Sequence, residues 1–142
     1  RFVTIHYGGW DMHSNIKKSL ESRVPAADLA ISAFIEDIYQ RGLNEKVLLV
    51  VTGEFGRTKL NNNGGRDHWP SISPLLLSGG NYQTGRVIGK ADKSYSPTET
   101  PVTPIDLAAL LFDHYGIDKG TQRTDNGGRP RYLLEGEGKV FL

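Results

Sequence analysis

Apolar residues recur along this chain with different periods, and each period predicts a different element. Phe2-Val3-Thr4-Ile5-His6-Tyr7 is dense in β-branched and aromatic residues and is stopped by Gly8-Gly9, which predicts a strand ending in a tight loop. Between Ala26 and Arg41 the apolar positions 27, 30, 31, 34, 35 and 38 follow helical spacing, with Pro25 placed to open the helix and Gly42 to close it. Val47-Leu48-Leu49-Val50-Val51 carries no polar alternation, the pattern of a central parallel strand covered on both faces. Strand, helix and strand in that order predict a βαβ unit. Residues 53–70 are polar and rich in Gly and Asn, and their charge density predicts a functional connection between strands. Ser73 to Ser78, with Pro74 at its beginning, predicts a third buried strand. Thr103-Pro104-Ile105-Asp106 places a capping hydroxyl, a first-turn proline and a first-turn acid ahead of an apolar run, and Gly116 follows as a stop, so a helix is predicted over 104–115. Arg131 to Leu142 reads as a short hairpin around Glu135-Gly136-Glu137-Gly138. The expected fold class is α/β, a mostly parallel sheet flanked by helices, in a single domain spanning residues 1–142.

Composition narrows the function classes. The chain has 142 residues, 37% of them hydrophobic, which is enough for one core. Its 17 Lys+Arg against 16 Asp+Glu leave a net charge of +1, too little for the electrostatic footprint of most nucleic-acid or anionic-membrane binding. No apolar run approaches the roughly 18 residues that a membrane-spanning helix needs. Neither nucleic acid nor membrane is the expected partner. With no cysteine, a metal has to be held by His, carboxylates and other oxygen ligands. The chain opens on Arg1 and runs directly into a strand pattern, so it is expected to be a piece of a longer protein.

Candidate chemistry gathers where strands are predicted to end, the usual ligand position in open α/β sheets. Asp11 and His13 follow the first strand, Glu54 follows the second with Arg57 three residues on, and Asp67-His68 lead into the third. Carboxylates and imidazoles converging from separate segments suit a divalent cation, and Arg57 and Arg66 supply planar forks for a tetrahedral oxyanion such as phosphate or sulfate. Blander roles compete. Asp11 suits a turn cap, His13 a bond to a backbone carbonyl, Glu54 a local pair with Arg57, and Asp67 a pair with Arg66 that leaves His68 an ordinary loop histidine. His6 and His114 are assigned to structure, and Trp10 and Trp69 to packing walls. Neither G-x-G-x-x-G nor G-x-x-x-x-G-K-[ST] occurs, so nucleotide binding is unsupported.

Three ordered motifs carry a resemblance. Gly9-Trp10-Asp11-Met12-His13-Ser14-Asn15, Val50-Val51-Thr52-Gly53-Glu54-Phe55-Gly56-Arg57-Thr58 and Gly64-Gly65-Arg66-Asp67-His68-Trp69-Pro70 resemble a sulfatase-like family of bacterial proteins of unknown function, placed in the alkaline phosphatase superfamily. The likeness continues through Gly85-Arg86-Val87-Ile88-Gly89 and Pro104 to Ala109 as far as Gly128-Arg129-Pro130, and covers only the C-terminal part of such proteins. It implies an alkaline phosphatase-like fold and metal-dependent hydrolysis of a small-molecule phosphate or sulfate ester. Asp11, His13 and His68 stand as ligands of one divalent cation, zinc, calcium or another; Arg57 and Arg66 are expected to serve catalysis through their own oxyanion-binding forks, apart from the resemblance. Glu54 takes the place of an aspartate ligand, while Phe55 replaces the neighbouring histidine, so one metal is expected and not two. No serine or threonine matches the family's nucleophile. The resemblance thus implies a missing N-terminal segment of the parent chain as partner, negligible turnover by this piece alone, and a periplasmic or exported location. The alternative is a non-catalytic oxyanion-binding or interaction module of the same fold.

Overall fold

A computed structural model describes residues 1–99 and 101–142. Helix α1 spans Ile16–Gln40, ten residues ahead of the expected start, with Pro25 inside it. The reason lies in a stripe that the local proline signal hides: Ile16, Leu20, Arg23, Ala27, Ile31, Ile35 and Ile38 recur every three or four residues and are the less exposed face along the whole length. A continuous stripe on both sides of the proline outweighs the loss of one backbone hydrogen bond.

After α1 come β1 (Leu48–Thr52), β2 (Gly56–Leu60), β3 (Arg66–Trp69) and β4 (Leu75–Gly79), then α2 (Pro104–His114), β5 (Gln122–Thr124) and β6 (Pro130–Tyr132). The strands form three two-stranded antiparallel sheets, β1 with β4, β2 with β3, and β5 with β6. This corrects the expected fold class: there is no parallel sheet flanked by helices among the described residues, and no alkaline phosphatase-like fold. The apolar run at 48–52 does form a strand, but Leu48 faces Gly79 and Thr52 faces Leu75, so β4 returns in the opposite direction. Parallel pairing needs a crossover of a dozen or more residues, usually a helix. Between Thr52 and Leu75 the chain builds the hairpin β2–β3 in its place, so half of the polar connection expected over 53–70 is strand. Phe2 to Tyr7 is not a strand, and Val3 and Ile5 lie 79% and 87% exposed, so the βαβ unit falls with it.

Other expectations stand. β4 begins one residue after Pro74, where a proline costs no ladder bond. Helix α2 carries a full capping box: Asp106 N–H donates to the Thr103 hydroxyl, and Thr103 N–H donates to the Asp106 carboxylate at 2.8 Å. Asp106 also accepts from Lys139 N–H at 2.8 Å, and these donors hold its pKa down at about 2, the Lys139 bond most of all. The hairpin expected around Glu135-Gly136-Glu137-Gly138, by contrast, does not form: no strand follows Tyr132 among the described residues, and β5 pairs with β6 instead, around Asp125, whose carboxylate accepts the N–H groups of Gly127 and Arg129.

The core is thin. Met12, Ile38, Ala109, Leu110 and Leu134 are the buried apolar side chains among the described residues. The accessible surface is 10693 Å², whereas a compact monomer of this mass exposes about 7,300 Å².

Candidate metal centre

The segment Asp11–Asn15 belongs to no sheet, yet it is stitched along the turn that joins β2 to β3. Arg66 N–H donates to Met12 O at 2.9 Å, Asn15 N–H to Asn63 O at 3.1 Å, Ile16 N–H to Gly64 O at 2.9 Å, and the Asn61 side-chain amide to His13 O at 3.1 Å. Met12 is buried while Asp11 and His13 are exposed, as alternation along an extended segment requires. Buried Gly65 makes the close approach possible, because a Cβ there would overlap the backbone of His13 and Ser14.

On the hairpin, Arg57 lies directly opposite His68, so both project from one face. Docking of the 11–15 segment brings Asp11 to them. A single oxygen, Asp11 Oδ1, then takes the Arg57 guanidinium at 2.6 Å, His13 Nε2 at 2.9 Å and His68 Nε2 at 2.9 Å. The far ring nitrogen, His13 Nδ1, lies 2.8 Å from Asp67 Oδ1, and Asn61 donates to the same carboxylate at 3.3 Å. Phe55 packs on His68 with ring centroids 4.5 Å apart, and the Arg57 guanidinium sits 5.5 Å from the Phe55 ring.

Electrostatics follow from these contacts. The Arg57 bond first, then the His68 bond and the His13 charge, hold Asp11 well below the usual carboxylate range. The bond to Asp67 raises His13, and the same bond lowers Asp67. A histidine with a carboxylate at each ring nitrogen has to donate from both, which is the imidazolium form.

Chemically, Asp11, His13 and His68 offer one carboxylate oxygen and two imidazole nitrogens within 4.8 Å of one another. Asp67 behind His13 fixes its Nδ1–H and leaves Nε2 for a cation, the carboxylate-histidine-metal arrangement of many metal sites. Protons and cation therefore compete for His13 Nε2. Because His13 is raised above its ordinary 6.5, cation affinity is expected to climb as pH rises above 6.5. The metal-free network has the opposite sense: the raised His13 contributes stability that is complete below pH 6.5 and fades above it, while Asp11 and Asp67, both lowered, contribute above their usual 3.8 and lose it in acid. Zinc titrations at three pH values, set beside metal-free melting curves of wild type and Asp67→Asn, check both directions.

The remaining candidates fall elsewhere. Glu54 is exposed in the bend between β1 and β2 and is not one of the three clustered ligand residues; Arg57 pairs with Asp11 and not with it. Arg66 is half-buried, and Asp67, its expected partner, is taken by His13. Trp69 is half-buried and donates its indole N–H to Tyr95 O, whereas Trp10 is exposed and donates to Tyr7 O. Asn61 is the participant that residue patterns missed, and Asp67, a candidate beside His68, takes His13 as its partner in place of the expected Arg66. No local signal marks that pairing, since Asp67 meets its histidine across 54 positions of chain.

Comparison with known proteins places the chain in a family without assigning it a role. The model of a family described as Protein of unknown function (DUF1501) matches residues 1–141, and the chain belongs to that family. No curated protein matches it, and no solved structure does. The expected place in the alkaline phosphatase superfamily is corrected here: the matched family is one of unknown function, and nothing links it to sulfatases or to that superfamily.

Proposed function

We propose that this member of the DUF1501 family holds one divalent cation at Asp11, His13 and His68 and uses it in hydrolysis of a phosphate or sulfate ester. The observation that carries the reading is the convergence of two Nε2 atoms and one carboxylate oxygen from segments far apart in sequence, with Asp67 orienting one of the imidazoles. Three protein ligands, one acidic and two imidazole, leave room for water, as catalytic zinc sites do. Such a cation lowers the pKa of bound water and stabilises charge on the ester oxygens. The side chains are about half exposed, so a small ester has access. With the superfamily resemblance withdrawn, the nucleophile no longer has to come from a segment outside this chain.

Two imidazoles favour zinc or another borderline ion over calcium. Titration calorimetry is expected to give one Zn²⁺ per chain and weaker Ca²⁺ binding. A phosphatase and sulfatase screen of the zinc-loaded protein is expected to show turnover above the metal-stripped control, abolished in His68→Ala. Zinc binding without turnover would move the chain to the second reading, a non-catalytic oxyanion-binding module. That reading draws on the phenylalanine, not a titratable group, packed against His68. Absence of zinc binding would remove both. The reading also takes a further polypeptide segment as partner, covering Phe2, Val3, Ile5 and Leu29, each at least 69% exposed.

A further inference from the structure

Resting on that cation site, one contact points to how a substrate would be engaged. Asp11 Oδ1 is the atom on which both imidazoles converge, and it is also the atom that binds Arg57, at 2.6 Å the shortest contact of the cluster. A cation seated between the two Nε2 atoms has to claim this oxygen. Its double charge then repels the guanidinium and draws electron density from the lone pairs that held it. Arg57 cannot go far. Its side chain is 21% exposed against 48% to 60% for Asp11, His13 and His68, its guanidinium lies beside the Phe55 ring, and its backbone is fixed opposite His68 in the hairpin.

We propose that cation binding releases Arg57 from Asp11 and presents its guanidinium fork to a tetrahedral oxyanion that bridges Arg57 and the cation. Without the cation, the Arg57 fork is occupied by Asp11. With it, the same pocket offers a cation and a free fork. Phosphate or sulfate binding is therefore conditional on the cation. By linkage, the anion tightens the cation by the same factor.

The test uses the full chain stripped of metal, with sulfate and inorganic phosphate titrated separately. Calorimetry first measures Zn²⁺ alone, then each anion into metal-free protein, then each anion at submillimolar concentration into zinc-loaded protein. The expected results are zinc binding, anion binding to the zinc-loaded chain roughly 10-fold or more tighter than to the metal-free chain, and the same factor in zinc affinity when the anion is present. Arg57→Gln is expected to bind zinc more tightly, since a positive competitor for Asp11 Oδ1 is gone, and to lose the coupling. Arg57→Lys, which keeps the charge but not the fork, retains part of it. Equal anion affinity with and without zinc overturns the inference, as does coupling that survives intact in Arg57→Gln. The wild-type arm decides even if the variants misfold. Failure of zinc to bind would sink the cation site itself, whereas zinc binding with uncoupled anions sinks only the release of Arg57.

Discussion

Zinc affinity is expected to fall by about 100-fold or more in His68→Ala, the largest loss of any single side-chain truncation on the hairpin. Losing a residue that merely orients a ligand costs roughly 10- to 100-fold in affinity, and losing a ligand costs at least as much. The structure therefore predicts an order. His68→Ala removes one of three donors, Asp67→Asn weakens only the orientation of His13, and Glu54→Gln, outside the cluster, should change affinity by less than about 2-fold. Titration calorimetry of the three variants, with circular dichroism to confirm that each folds, tests the order and not just the sign. Equal affinities in all three would show that zinc binds elsewhere. A loss in Glu54→Gln as large as in His68→Ala would instead make Glu54 a ligand, the role that its place after the apolar run of β1 implies.

A change that touches no ligand should be nearly as damaging. Gly65→Ala adds one methyl group where the backbone of His13 and Ser14 already lies, and neither backbone can turn aside as a flexible side chain would. The segment has to lift off the hairpin, breaking the bonds from Arg66 N–H to Met12 O and from Asn15 N–H to Asn63 O that hold Asp11 and His13 beside His68. Ordinary overpacking costs about 1–3 kcal/mol, and a clash with backbone is expected to reach or exceed the top of that range. Zinc affinity should fall with stability, by at least 10-fold. The neighbouring Gly64→Ala gives the contrast. Its φ of +68° strains any other residue, but its nearest atom is Asn15 N at 3.9 Å, so the expected cost is the 1–2 kcal/mol of a left-handed conformation, with the site left assembled. Melting curves and zinc titrations of the pair separate steric exclusion of the segment from backbone strain alone.

What the sequence determines here is what neighbours along the chain can settle among themselves. Thr103, Pro104 and Asp106 make a helix start within four residues, so α2 is legible. Asp11 and His13 flank an apolar methionine, and that alternation turns both polar side chains the same way wherever the segment docks. Pro25 shows the limit of local reading, because a helix-start signal yields to a stripe that runs through it. Tertiary structure decides the rest. An unbroken run such as Leu48–Val51 is equally apolar whichever way its partner runs, so nothing in it distinguishes the parallel strand expected from the antiparallel pair with β4 that forms. Asp67 gains its role, and Arg57 exchanges a local glutamate for Asp11, through contacts 54 and 46 residues apart. Such contacts exist only once Gly65 lets two pieces of backbone lie against each other, and that is a property of packing to which no short stretch of the chain has access.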